Sequence, residues 1–427
     1  MKSIVYKLSL FFFSIFVLLN YSCKKEIVAP ASEIDSVHAI NKIVYDYMKN
    51  WYLWYDSIPN VDYTKYSTPD SFLNAIIYKP IDRWSFIITK TQYENEFIQG
   101  TYYGHGFAVG LDAQGNIRIS VIFNNSDLYT AGVRRGWIIS KINGITPDTG
   151  NIDNLLGKNI AGLQNTFLFT RSDNTEITIT STKKNITMNM VLYYDTLNVS
   201  NKIVGYISFY AFLGNAQTEL DSAFNFFKNT NVSELVLDMR YNGGGDLNIA
   251  DSLASMIGGN LGANQTFVTL TYNNKNTSSN TTILLNKKYL SLNLNRLFVI
   301  TTNSTASASE AVINGLTPYM PVKLIGSQTY GKPTGMNIFS IDHYNYVLAP
   351  VMFKLTNKFG NGDYFNGLPV DQQTPDDLDH DFGDRNEACL HQALYFIQNG
   401  NFDASLKSFY IPRANLKKGW KLLMDVH

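Results

Sequence analysis

The strongest constraint on the fold is the alternation of strand-like and helix-like segments after residue 200. The strand-like segments are short and apolar, and they end in glycine or in small polar residues. Strands that alternate with helices in this way indicate an α/β domain. We predict strands at 203–209, 234–238, 296–301 and 322–325, with helices at 218–228, 247–257, 307–316 and 386–397.

The chain before residue 200 has two other patterns. Apolar residues at helical spacing predict helices at 35–58 and 69–77. From about residue 100, alternating segments separated by glycine-containing turns predict strands, among them 107–111, 117–122 and 187–193. We therefore predict a multidomain α+β protein with a small helical N-terminal domain at 35–98, a β domain at 99–195, an α/β domain at 196–400 and a C-terminal extension at 401–427.

The first residues have the pattern of an export signal. Lys2 and Lys7 flank the start of an apolar run at 8–19, which is too short to span a bilayer. Cys23 follows this run, and the arrangement resembles a bacterial lipoprotein signal. We expect a signal peptide at 1–22, a lipidated Cys23, a tether at 23–34, and a location in the cell envelope, periplasmic or at the outer surface. The alternative is an ordinary cleaved signal with an incidental cysteine.

Composition excludes some partners. The chain has 35 basic and 35 acidic side chains, which argues against nucleic acid as a partner. The second of its two cysteines, Cys389, lies in a helix-like stretch and is interpreted as a core residue. The acidic run at 376–381 is interpreted as a solvated loop rather than a cation site. No metal or organic cofactor is implied.

One candidate for chemistry is the serine-rich segment 301–310, which lies between an apolar strand and a helix. A hydroxyl at such a junction lies beside unpaired helix N–H groups at the positive end of the helix dipole. Ser307 could therefore be a nucleophile, although serine is also a common helix cap. A second candidate is the glycine-rich turn 242–246, whose backbone N–H groups could bind an oxyanion or could simply form a tight turn.

A third candidate is the loop 326–335, which almost matches a phosphate-binding loop. Pro333 replaces the hydroxyl residue that would hold magnesium, so nucleotide binding is not predicted. The chain has no G-x-S-x-G motif, and a lone histidine such as His105 or His343 is weak support for a triad. A buried lysine can act as a base, and Lys332 lies among glycine, proline and apolar neighbours.

These segments together resemble the C-terminal processing, or tail-specific, serine peptidases. The run 307–310 (Ser-Ala-Ser-Glu) matches that family's nucleophile segment, and Lys332 lies 25 residues after Ser307. The resemblance implies a Ser307–Lys332 dyad, an oxyanion hole made by the N–H groups of Gly244 and Ala308, and a crotonase/ClpP-like α/β core. It also implies protein or peptide substrates.

Residues 99–195 resemble the PDZ domain that commonly precedes this peptidase core. The loop at 103–107 is similar to the loop by which such domains bind a peptide carboxylate. The residues that this resemblance implies for peptide binding are Gly104, His105, Gly106 and Phe107.

The sequence departs from the family pattern four residues after the lysine. The family usually has glutamine there to orient the base, and this chain has Met336. Thr334 and Tyr330 are the other candidates for holding Lys332. The rival hypothesis is therefore a catalytically silent peptide-binding or scaffold lipoprotein.

Overall fold

The structure is a computed structural model, and it describes residues 33–405. The predicted signal peptide, Cys23, nearly all of the tether and most of the predicted C-terminal extension lie outside the described residues. Between residues 33 and 405, no helix is long and apolar enough to cross a membrane.

The helices are concentrated at the N-terminus and in the second half of the chain. The predicted helix at 35–58 ends at Trp51, because Leu53 N–H donates to the carbonyl of Val351 (2.9 Å) and the chain turns away. A π-helix at Glu94–Gln99 follows α3. The α-helices are α1 (Glu33–Trp51), α2 (Pro69–Ile76), α3 (Lys90–Tyr93), α4 (Asp127–Thr130), α5 (Ile152–Leu156), α6 (Ala216–Asn229), α7 (Leu247–Gly262), α8 (Ala308–Leu316) and α9 (Ala388–Asn399).

The strands form several separate sheets. The strand predicted at 187–193 is wrong: two strands lie on either side of Met188–Met190, because the chain changes sheets there. The strands are β1 (Phe86–Thr89), β2 (Thr101–Gly104), β3 (Phe107–Leu111), β4 (Ile117–Ile122), β5 (Ile138–Ile142), β6 (Gln164–Thr170), β7 (Glu176–Thr182), β8 (Lys184–Thr187), β9 (Val191–Val199), β10 (Lys202–Phe209), β11 (Glu234–Asp238), β12 (Thr266–Tyr272), β13 (Thr281–Leu284), β14 (Leu297–Thr301), β15 (Val322–Gly326), β16 (Thr334–Met336), β17 (Phe339–Ile341), β18 (Tyr346–Ala349), β19 (Val351–Thr356) and β20 (Gln372–Gln373).

A six-stranded sheet is the centre of the C-terminal half, in the order β20-β15-β14-β11-β10-β9. Its strands are parallel except for the antiparallel pair of β9 and β10. Every residue of β11 and β14 is buried, as expected of central parallel strands that are covered on both faces. The predicted α/β domain is thus confirmed as a mixed α/β fold with several sheets.

Helices cover both faces of this sheet. The apolar residues of α6, α7 and α8 belong to one core cluster with Leu235, Leu237 and Val299. Those of α9 belong to another with Val236 and Phe298, and this second cluster contains Cys389 at its predicted core position. Burial of such side chains contributes roughly 1.5–3 kcal/mol each.

Two further parts of the chain surround this centre. The antiparallel sheet β3-β4-β5-β6-β7 encloses its own core, with Phe167 and Phe169 fully buried. The N-terminal helices share a core cluster with residues 336–351, and β1 pairs with β18 in a three-stranded sheet. The N-terminal segment is therefore packed directly against the region that follows Lys332.

Candidate active site

Three loops meet at one edge of the six-stranded sheet. They follow β11, β14 and β15, which are adjacent and parallel, so their carboxyl ends lie side by side. The glycine-rich turn follows β11, the serine-rich segment follows β14 and the Lys332 loop follows β15. Ligands bind outside the carboxyl ends of parallel strands in open α/β sheets, so this edge is the natural position for a site.

Ser307 has a strained backbone. Its φ is 58° and its ψ is −114°, a conformation that non-glycine residues rarely adopt. Such a conformation costs roughly 1–3 kcal/mol and persists only where the surrounding structure requires it. The predicted helix at 307–316 begins one residue later, at Ala308, so Ser307 is the half-buried residue at the positive end of α8.

Glu310 joins the serine segment to the lysine loop. Its Oε2 accepts hydrogen bonds from the backbone N–H groups of Ser307 (2.9 Å) and Lys332 (2.8 Å). Its Oε1 accepts from Gly331 N–H (2.7 Å) and from the hydroxyl of Thr329 (2.5 Å). Burial raises the pKa of Glu310, although these four hydrogen bonds oppose that shift. Sequence reasoning assigned Glu310 no role beyond its place in the run 307–310.

Lys332 is buried, with 8% of its surface exposed. Its Nζ lies 4.0 Å from Sδ of Met336. Burial lowers the pKa of Lys332 to about 8, although the carboxylates of Asp82 and Glu310 act in the opposite direction. A substantial fraction of the amine is therefore neutral in mildly alkaline solution.

The three residues considered for orienting the lysine have different surroundings. Met336 lies against the amine, but a thioether is only a weak acceptor. Thr334 is fully buried, and within the described part of the chain its hydroxyl has no hydrogen-bond partner. The ring of Tyr330 lies beneath the guanidinium group of Arg83.

Gly244 lies directly against the serine segment. Its φ is +105°, and a Cβ there would lie 2.8 Å from the Cβ of Ser307 and 3.0 Å from the nitrogen of Ala308. Glycine is therefore required for this close approach. However, the N–H of Gly244 donates to Oδ1 of Asn242 (2.9 Å), so this predicted oxyanion donor is engaged within its own turn. Ala308 is buried in the first turn of α8, where backbone N–H groups have no helical acceptor.

Asn242 also fixes the turn relative to the nucleophile segment. Its carbonyl accepts from Ala306 N–H (3.0 Å) and from the hydroxyl of Ser309 (3.0 Å). The N–H of Tyr330 in turn donates to the carbonyl of Thr305 (2.9 Å). The three loops are thus connected by hydrogen bonds into one unit.

A buried charge network supports the glycine-rich turn. Arg240, 1% exposed at its side chain, contacts the carboxylates of Asp238 (2.7 Å), Glu387 (2.7 Å) and Asp376 (2.8 Å). Arg135, from the region preceding β5, contacts the same Asp376 (2.9 Å). Burial opposes ionisation of Asp376, but the two arginines lower its pKa to about 2. The interpretation of 376–381 as a solvated loop is therefore wrong for Asp376.

Most of the loop predicted to bind a peptide carboxylate is buried. Gly104, His105, Gly106 and Phe107 are all buried. The ring of His105 lies between the hydroxyl of Ser181 (3.0 Å) and Oδ1 of Asn165 (2.7 Å). Burial lowers the pKa of His105 to about 4, so the ring is neutral near pH 7.

The family is decided by comparison with known families. The model of peptidase family S41 matches residues 203–369, and that of the S41 N-terminal domain matches residues 39–86; together they cover half of the chain. The chain belongs to peptidase family S41. The predicted relationship is therefore confirmed, and S41 is a family of serine-type hydrolases. Both the serine segment and the lysine loop lie within the first match.

Individual relatives agree with this assignment to S41. The crystal structure of a protein described as an S41 protease, from Bacteroides fragilis, matches with a TM-score of 0.70 and 26% identity. The match covers 84% of this chain and 96% of that chain. A protein described as a CtpA-like serine protease from Staphylococcus aureus is 25% identical over 287 residues, which are 64% of this chain. The match covers 54% of that protein, so the chain spans about half the length of the curated relatives.

A third comparison concerns the fold alone. The photosystem II D1 C-terminal processing protease has a TM-score of 0.50 and 17% identity, over 81% of this chain and 94% of that chain. The mixed α/β S41 fold, with its N-terminal domain, is therefore shared with a processing protease of low sequence identity.

Proposed function

We propose that this S41 protein is a peptidase that hydrolyses peptide bonds with Ser307 as nucleophile and Lys332 as general base. The observation that carries the proposal is the shared carboxylate of Glu310, which binds the backbone N–H groups of both residues. The buried, partly neutral amine of Lys332 supports its role as a base. The strained backbone of Ser307 supports its role as nucleophile, since such strain is concentrated at functional sites.

The proposed reaction has two halves. Oγ of Ser307 attacks the carbonyl carbon of the scissile bond, and the neutral amine of Lys332 takes the hydroxyl proton. The ammonium then gives this proton to the leaving amine, and an acyl-enzyme ester remains. Water attacks the ester, again losing a proton to Lys332, which returns it to Ser307 as the new carboxyl group leaves.

The negative charge that develops on the substrate oxygen needs donors. Ala308 N–H is the proposed principal donor, because it lies next to Ser307 in the first turn of α8, where the helix dipole favours an anion. Gly244 contributes by its lack of a side chain, since a Cβ would contact Ser307. Its N–H becomes a second donor only if Asn242 releases it.

We further propose that residues 99–195 form a PDZ-like domain that binds the C-terminus of the substrate, and that the core is of the crotonase/ClpP-like type. The antiparallel sheet β3–β7 and the resemblance at 103–107 support the first proposal. Because Gly104–Phe107 is buried, we expect this loop to move when it binds a carboxylate.

The first test uses peptides of one sequence with a free or an amidated C-terminus. We expect cleavage of both, with a lower KM for the free acid, and labelling of Ser307 by a serine-directed fluorophosphonate. Ser307→Ala should lose both labelling and ~10³-fold or more of the rate. Ser304→Ala, a matched control three residues earlier, should keep both the labelling and the native rate. Equal KM values for the two peptides would contradict carboxylate capture.

The rival function is that of a silent peptide-binding lipoprotein, and the position of Met336 against Lys332 is the observation that favours it. In that case the purified protein would bind the peptides without cleaving them, and Ser307 would not be labelled. The same experiment therefore separates the two functions.

We also propose that the protein is anchored to a membrane of the cell envelope through Cys23, on the strength of the export signal. Cys23→Ser is expected to move the protein from the membrane fraction to the soluble fraction. Cys389→Ala, which alters the other cysteine, should leave the distribution unchanged. Membrane association that persists in the Cys23 variant would count against the anchor.

A further inference from the structure

The segment between α2 and β1 contacts the loop that carries Lys332. Nη2 of Arg83 donates to the backbone carbonyls of Tyr330 (3.1 Å), Gly331 (3.2 Å) and Phe365 (3.3 Å). Its guanidinium carbon lies 4.7 Å from the ring centroid of Trp84 and 4.8 Å from that of Tyr330. A planar guanidinium that contacts two aromatic rings is preorganised for hydrogen bonds at its edge.

Two consecutive peptide units are each held by hydrogen bonds at both the carbonyl and the N–H. The carbonyl of Tyr330 accepts from Arg83, and the N–H of the same peptide unit, from Gly331, donates to Glu310. In the next peptide unit, the carbonyl of Gly331 accepts from Arg83 and the N–H of Lys332 donates to Glu310. The direction in which the Lys332 side chain leaves the backbone is therefore set by a cation on one side and a carboxylate on the other.

The neighbouring Asp82 stabilises the turn that carries Arg83. Its buried carboxylate accepts from the N–H of Trp84 (2.9 Å), and from the N–H (3.0 Å) and hydroxyl (2.6 Å) of Ser85. The hydroxyl of Tyr52 in the N-terminal domain also donates to it (2.7 Å). The turn that presents Arg83 is therefore rigid, and it belongs to the segment that pairs with β18.

We propose that Arg83 is a positioning residue for Lys332, through which the N-terminal domain holds the base in its reactive orientation. This inference rests on the proposed function, because it assigns Arg83 a role in the same reaction. Arg83 touches backbone carbonyls rather than substrate, so it acts on catalysis only through Lys332.

Loosening the loop should also change the titration of Lys332. Burial disfavours the charged form of its amine, while the carboxylates of Asp82 and Glu310 favour that form. If the loop moves toward water when Arg83 is lost, burial weakens and the pKa of Lys332 rises from about 8 toward its ordinary value. The activity of an Arg83 variant should then require a more alkaline solution.

The experiment compares Arg83→Ala and Arg83→Lys with Arg134→Ala. Arg134 is a matched control, because its guanidinium also lies over a tyrosine ring (4.1 Å) and donates to two backbone carbonyls, those of Tyr129 and Val133. Because Arg83 is an exposed residue, its removal should leave the chain folded. We expect Arg83→Ala to lower kcat by ~10–100-fold with little change in KM, since misplacement of a reacting group has effects of this size.

The pH profile of kcat/KM in the same variants supplies the second readout. The inference predicts an alkaline shift of its acidic limb in Arg83→Ala, a smaller shift in Arg83→Lys and none in Arg134→Ala. If the acidic limb of the pH profile is unchanged in Arg83→Ala, the inference is wrong. It is also wrong if Arg83→Ala and the control Arg134→Ala lose the same fraction of the rate. If the native protein neither cleaves peptides nor labels at Ser307, the proposed function itself has failed, which is a distinct outcome.

Discussion

Lys332→Ala is expected to cleave peptides ~10²–10⁴-fold more slowly than the native protein, the contribution that a general base makes to such reactions. The loss should be nearly as large as that of Ser307→Ala, because two residues that act as one unit have non-additive effects. Lys332→Arg should not restore the rate, since a guanidinium group stays protonated and cannot accept a proton. Single-turnover rates of the purified variants on one peptide provide the measurement.

The pH dependence gives the same prediction an independent check. The amine must be neutral to accept the proton of Ser307, so kcat/KM should rise with pH through a midpoint near the Lys332 pKa of about 8. The opposite slope would be incompatible with a lysine base. Full activity in Lys332→Ala, with Ser307→Ala inactive, would leave the serine as nucleophile and assign the base to another group.

The buried amine should also cost stability. The pKa of Lys332 in the folded protein, about 8, lies below its ordinary value of 10.5, so the unfolded chain binds more protons between these values. The free energy of unfolding therefore increases as the pH rises through this window, and the full cost is present below pH 8. Lys332→Met removes the charge, so we expect it to be inactive yet more stable near neutral pH by ~1–3 kcal/mol, as measured by denaturant unfolding.

Arg240→Met is expected to reduce the free energy of unfolding by ~3–5 kcal/mol, because removal of one partner leaves buried charges without compensation. Arg240 pairs with Asp238 and Glu387, whose side chains are 0% and 1% exposed, and with Asp376. Methionine preserves most of the volume, so the loss reports the charges rather than a cavity. Urea unfolding of the native and variant proteins at one pH measures the difference.

Arg296→Met is the matched control for this prediction. Arg296 makes a similar pair of contacts with Glu234 (2.9 and 2.8 Å), but 23% of its side chain is exposed. Its loss should cost less, ~1 kcal/mol, because Glu234 keeps Lys202 as a second partner (2.8 Å) and does not become an uncompensated buried charge. If Arg240→Met and Arg296→Met lower the free energy of unfolding equally, the network around Arg240 stabilises the fold no more than the Arg296–Glu234 pair does.

Local patterns were sufficient to predict the centre of the molecule. The apolar runs at 235–237 and 297–300 predict buried strands, and the structure places both at the middle of the six-stranded sheet. The glycine turn, the serine at the start of α8 and the Gly-Lys loop were recognised from residue type and spacing. Each of these features depends only on neighbouring residues in the chain, so the local sequence is enough to predict it.

Other elements ended where a distant part of the chain contacts them. Helix α1 stops at Trp51 because the following residues bond to Val351, which periodicity within 35–58 could not reveal. The strand predicted at 187–193 is two strands, since the chain changes sheets between β8 and β9. Pairing of β1 with β18 likewise joins segments about 260 residues apart, and such long-range pairing leaves no local signal.

The family resemblance, the α/β core and the candidate residues Ser307 and Lys332 could all be predicted from residue types and their spacing. How these residues are held is visible only in the folded chain. Glu310 bonds to both backbones, the N–H of Gly244 donates to Asn242, and Arg83 binds the peptide units that precede Lys332. The bond from Lys332 N–H to Glu310 and the bonds from Arg83 to the lysine loop join separate segments of the chain. They form only because the sheet and the N-terminal domain bring those segments together, so residue types within either segment do not reveal them.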